Sequence, residues 1–97
     1  MNIFRQGDVL IQEVSEIPKG LKRIKDGIVL RGEVTGHAHR LQGGELFGKD
    51  GSMFMNIPSP ALLVHEEHKT IKLPVGKYAV IRQREYLSKD MTKVVVD

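Results

Sequence analysis

The stretch ELFGKDGSMFMNI, residues 45–57, decides the fold. Two runs carrying apolar residues flank Lys49, Asp50 and Gly51. Aspartate followed by glycine suits the positive φ angles of a tight hairpin turn, so the stretch is expected to form two antiparallel strands with those residues at the tip. The same pattern continues in both directions. Glycine or proline recurs at short intervals, at Gly7, Pro18, Gly20, Gly27, Gly36, Pro58, Pro60, Pro74 and Gly76 among others, and the runs between are rich in Val, Ile and Leu. That is the signature of many short strands joined by turns. No window keeps the 3.6-residue apolar period of a helix.

Working outward, DVLIQEV is expected to be a strand with Val9 and Ile11 on one face and Leu10 and Val14 on the other. GIVLRGEV and ALLVH follow as further strands, with GHAHRL between them as either a separate strand or a bulged continuation. TIKLPVGKYAVIRQREY gives a short strand, a turn and a longer strand, and KVVV closes the series near the C-terminus. One helical turn is expected around Ser88 and Met91. The class is all-β, a small barrel or sandwich of short strands, with residues 1–97 forming one domain.

Composition narrows the function classes. Hydrophobic residues make up 40% of the 97 and charged residues 28%, a balance that builds a core and argues against disorder. There is no cysteine to form a disulfide. The net charge of +3 is mild, and aromatic residues are only 5%, so the dense basic stripe with stacking rings of many nucleic-acid binders is missing. No signal-like segment or membrane-length apolar run is evident, which places the expected location in the cytoplasm with no membrane partner. The small size and the apolar candidates Met53, Phe54, Met55, Val94, Val95 and Val96 lead to the expectation of a homo-oligomer.

The chemistry concentrates in two places. All four histidines fall in GHAHRLQGGE (36–45) and HEEHK (65–69). Along a strand, His37 and His39 point to one face, where two neutral imidazoles can chelate a divalent ion. Glu45 lies downstream as an oxygen donor. His65 and His68 are three apart and meet on one side only if the chain turns near Glu66, Glu67 and Lys69. The expected ligands are therefore His37, His39, His65, His68 and Glu45, for a divalent transition metal such as Zn, Ni, Mn or Fe. Glu66 or Glu67 would serve as the catalytic base. The blander reading of the same histidines is hydrogen bonding to backbone groups.

A metal-free alternative uses one imidazole as base and another as acid on a nucleotide or RNA, with Arg40, Lys69, Arg82 or Arg84 facing a phosphate. A third class is a non-enzymatic assembly protein whose motifs hold a subunit interface. For Arg82 and Arg84, solvent-facing charge or ion pairing is the simpler expectation.

FRQGDVLI, GEVTGHAHRL and LVHEEHKTIKLPVGKYAVIRQREY resemble a family of small, uncharacterised bacterial and phage-associated proteins. The resemblance covers most of the chain and implies that these segments form one compact unit. A fainter likeness is to cupins, β-barrels whose first metal motif is HxH followed by Glu. His37, His39 and Glu45 match it in type, and LPVGKY is similar to the turn of the second motif. No histidine follows Pro74, so His65 or His68 would have to take that motif's place. The expected function is a histidine-lined, metal-binding β-domain, with metal-assisted hydrolysis of a small molecule or nucleotide as its reaction class.

Overall fold

A computed structural model describes residues 2–32 and 36–82. Among them there are ten strands and no helix: β1 (Ile3–Gln6), β2 (Val9–Val14), β3 (Lys22–Arg23), β4 (Ile28–Arg31), β5 (Ala38–Gln42), β6 (Glu45–Lys49), β7 (Ser52–Ile57), β8 (Ala61–Val64), β9 (Ile71–Leu73) and β10 (Gly76–Arg82). They form two antiparallel sheets, ordered β1-β2-β10-β7-β6-β3 and β4-β5-β8-β9. Both sheets are open, so the expected all-β class takes its two-sheet form and no barrel closes among the described residues. The cupin-like barrel is corrected accordingly.

Alternation along the strands explains the packing. Val9 and Ile11 on β2, Met55 and Ile57 on β7, Ala61 and Leu63 on β8, and Tyr78 and Val80 on β10 are each two residues apart and buried. Together with Val29, Leu41, Leu46 and Leu73 they make one core cluster drawn from both sheets. Met55 is wholly buried there and Met53 packs against it. These residues, expected to feed a subunit interface, are used by the fold itself.

The hairpin at 45–57 forms as the sequence requires. Lys49 pairs with Ser52, and the two residues between them, Asp50 and Gly51, have φ of 52° and 84°. Positive φ at both central positions is the type I′ pattern, whose twist matches that of the strands.

A second hairpin was not expected. β1 pairs with β2, from Ile3 opposite Gln12 to Gln6 opposite Val9, leaving Gly7 and Asp8 as a two-residue tip. Gly7 has φ of 59°, the positive first position of a type II′ turn. β3 was also unforeseen. The expected C-terminal strand KVVV, the helical turn near Ser88, and Arg84 lie outside the described residues.

Candidate functional site

Strand register brings the two histidine clusters together. β5 pairs with β8 so that Arg40 lies opposite Val64, Leu41 opposite Leu63 and Gln42 opposite Leu62. Continued past the end of β8, this register sets His39 opposite His65, Ala38 opposite Glu66 and His37 opposite Glu67. Residues directly opposite in an antiparallel pair share a face. Each pairing is seen. The His39 and His65 rings are 4.3 Å apart, the Ala38 N–H donates to Glu66 Oε1 at 3.0 Å, and His37 Nδ1 lies 3.2 Å from Glu67 Oε2.

The chain then bends, as expected, and returns His68 to the group. Its ring centre is 4.6 Å from that of His65 and 5.8 Å from that of His39. His37 and His65 are 5.8 Å apart. All four imidazoles thus lie in one chain of ring contacts. His39 is buried, His37 and His65 are partly covered, and His68 is exposed.

The β1–β2 tip reaches this group from the other sheet. Gln6 is buried on β1, and its amide nitrogen donates to the carbonyls of Leu63 (2.9 Å) and Lys69 (2.8 Å). Its amide oxygen faces His39 Nδ1 at 2.8 Å. Asp8 Oδ1 lies 3.3 Å from the other ring nitrogen, His39 Nε2. Gly7 packs under His68, and a Cβ at that position would stand 2.6 Å from His68 Nε2. Sequence reasoning missed Gln6 and Asp8. The signal was present as a Gly-Asp pair between short runs, a hairpin tip in its own right.

These contacts set the electrostatics. Burial, then the neighbouring His65, holds His39 below its ordinary value of 6.5, and Asp8 partly opposes that shift. The Ala38 backbone N–H, with help from Arg40 at 3.2 Å, pulls the Glu66 carboxyl down to about 2. A carboxylate so strongly held in its ionised form is a weak proton acceptor. His65 Nδ1 accepts the Glu67 N–H at 3.0 Å, so neutral His65 carries its proton on Nε2.

Of the sequence candidates, His37, His39, His65, His68, Glu66 and Glu67 meet here. Glu45 does not join them. It opens β6, in the six-stranded sheet, where Asn56 donates to its Oε1 at 2.8 Å and Arg23 lies 3.4 Å from its Oε2. β5 leads from His39 away from the imidazoles before the chain turns into β6, and at about 3.3 Å per residue the Glu45 backbone is carried well clear. Arg82, named as a candidate phosphate contact, donates to the Gly51 carbonyl at 2.8 Å.

Among the described residues, no three His, Asp or Glu groups already have their donor atoms gathered as a metal shell. The rings are close, but loading an ion would require the more exposed ones to turn.

The family model described as a domain of unknown function, DUF8820, matches residues 5–83. The chain belongs to the DUF8820 family. The matched span contains the β1–β2 tip and both histidine segments, so every group of the site lies inside the family domain. No curated protein and no solved structure matches the chain.

Proposed function

We propose that this protein binds one divalent transition-metal ion among His37, His39, His65 and His68. The observation that carries the reading is the spacing of the four rings, 4.3–5.8 Å between centres in contact. An imidazole bound through nitrogen at about 2.1 Å puts its ring centre roughly 3.2 Å from the ion. Two such rings at octahedral or tetrahedral angles then stand roughly 4.5–5.2 Å apart. The observed separations bracket that range, and His65 would join the ion by giving up the bond from the Glu67 N–H to its Nδ1.

The chemistry supported by such a site is metal-assisted hydrolysis, in which the ion lowers the pKa of a bound water. Glu67, partnered with His37 and exposed to solvent, is the better candidate for the base. Glu66 serves to pin the bend through Ala38 and Arg40.

Thermal melts of untagged protein with Zn²⁺, Ni²⁺ or Mn²⁺ test the reading. An ion at about a hundred times its Kd adds about 2.7 kcal/mol. In a domain of this size that raises Tm by roughly 10–20 °C. The shift should vanish in the His37→Ala, His39→Ala double variant. No shift in the wild type, with nuclease activity that persists in chelator, would favour the metal-free acid–base alternative.

A further inference from the structure

We propose that Asp8 is an oxygen ligand of the same ion, paired with His39 Nε2, and that Gln6 is the positioning residue that leaves Nε2 bare to receive it. The inference rests on the metal reading above and adds two residues from the opposite sheet.

Gln6 has only one orientation open to it. Its amide nitrogen donates to two backbone carbonyls, at 2.9 and 2.8 Å, which fixes the orientation of the amide. The end facing His39 must therefore be the oxygen, an acceptor. His39 Nδ1 has to be the donor in that 2.8 Å contact. A neutral imidazole carries one proton, so Nε2 presents a lone pair. Asp8 Oδ1, another acceptor, lies 3.3 Å from that nitrogen. Two acceptors this close repel unless a cation binds to both.

The distance also fits a shared metal ion. Nitrogen and oxygen ligands each 2.0–2.1 Å from a tetrahedral ion stand roughly 3.3 Å apart. The His39–Asp8 separation of 3.3 Å equals that bite. His37 and Glu67 show a similar distance, 3.2 Å. At His39 the hydrogen-bond pattern leaves bare the nitrogen nearest a carboxylate, whereas at His65 the unprotonated Nδ1 is taken by the Glu67 N–H. Gln6 at the end of β1 and Asp8 just before β2 thus do for the site what the HxH motif alone cannot: they orient the buried histidine and add an anionic ligand.

Two measurements test this. The first is the imidazole nitrogen spectrum of ¹⁵N-labelled, chelator-stripped protein at pH 8, above the ordinary histidine value. The expected signature is His39 protonated at Nδ1 and bare at Nε2, changing to a mixture of tautomers in Gln6→Met. A proton on Nε2 in the wild type would overturn the proposal, whether or not the variant folds. The second is Zn²⁺ affinity of Asp8→Asn, an isosteric change at a half-exposed turn residue, with its melting temperature checked without metal. A loss of at least about tenfold is expected. Wild-type affinity in a folded Asp8→Asn protein would remove Asp8 from the shell while leaving the histidine reading standing. Failure of the wild type to take up Zn²⁺, Ni²⁺ or Mn²⁺ would remove both.

Discussion

Replacing Gln6 by leucine should destabilise the protein far more than its polar side chain suggests. Gln6 is 2% exposed and bridges the sheets. The substitution removes both bonds to the Leu63 and Lys69 carbonyls and the contact to His39 Nδ1. The Leu63 carbonyl bond is buried, as is the contact to His39, while that to Lys69 is partly covered. Each buried group left unpaired costs about 1–3 kcal/mol. Counting the Leu63 carbonyl and His39 Nδ1 in full gives roughly 2–6 kcal/mol, to which Lys69 adds a smaller amount. A domain of this length holds on the order of 5–15 kcal/mol in total, so the variant would be marginal. Urea unfolding followed by far-UV circular dichroism measures it, with the m-value checked for constancy. A loss below about 1 kcal/mol would refute the reasoning, because it would mean that these three contacts contribute little to stability.

Four further outcomes follow from the same structure. Gly7→Ala should cost about 1 kcal/mol through its positive φ, and its methyl should push the exposed His68 ring out of the cluster, seen as weaker metal uptake. Gly51→Ala has open space around it but φ of 84°, so it should lose about 1 kcal/mol in urea melts without touching metal affinity. Leu46→Ala, in the core at 1% exposure, should cost about 2–5 kcal/mol, and a smaller loss would mean a core that readily collapses. Because His39 is held below 6.5 in the folded protein, the unfolded chain takes up its proton first as pH falls. Its contribution is therefore complete above that value and is lost as pH drops toward the folded value. Metal-free stability should decline from pH 7 to pH 5, less so in His39→Gln, and a flat profile would contradict the assignment.

The strands that the sequence made legible are those whose apolar residues alternate. β2, β7, β8 and β10 bury residues two apart, which is the pattern that a period of two detects. β3 is two exposed residues, Lys22 and Arg23, and has no apolar signal to read. β1 is the more instructive case. The buried residue of Ile3–Gln6 is its glutamine, so hydrophobic alternation fails where a polar side chain has been taken inside to make hydrogen bonds. The site shows the same division. HxH and HEEH announced the imidazoles, and a turn between His65 and His68 was foreseeable. That His39 stands opposite His65 depends on the β5–β8 register, a tertiary fact carried by no local spacing. Glu45, near His39 in sequence, was separated from it because β5 and β6 belong to different sheets.

The most direct test of the central claim is Co²⁺ titration of untagged, chelator-stripped protein, followed by visible absorption and checked by metal analysis of the complex. The account predicts one ion per chain, a d–d spectrum set by nitrogen and oxygen ligands, and loss of that spectrum in the His37→Ala, His39→Ala protein. A titration with no spectral change and no retained metal would contradict it.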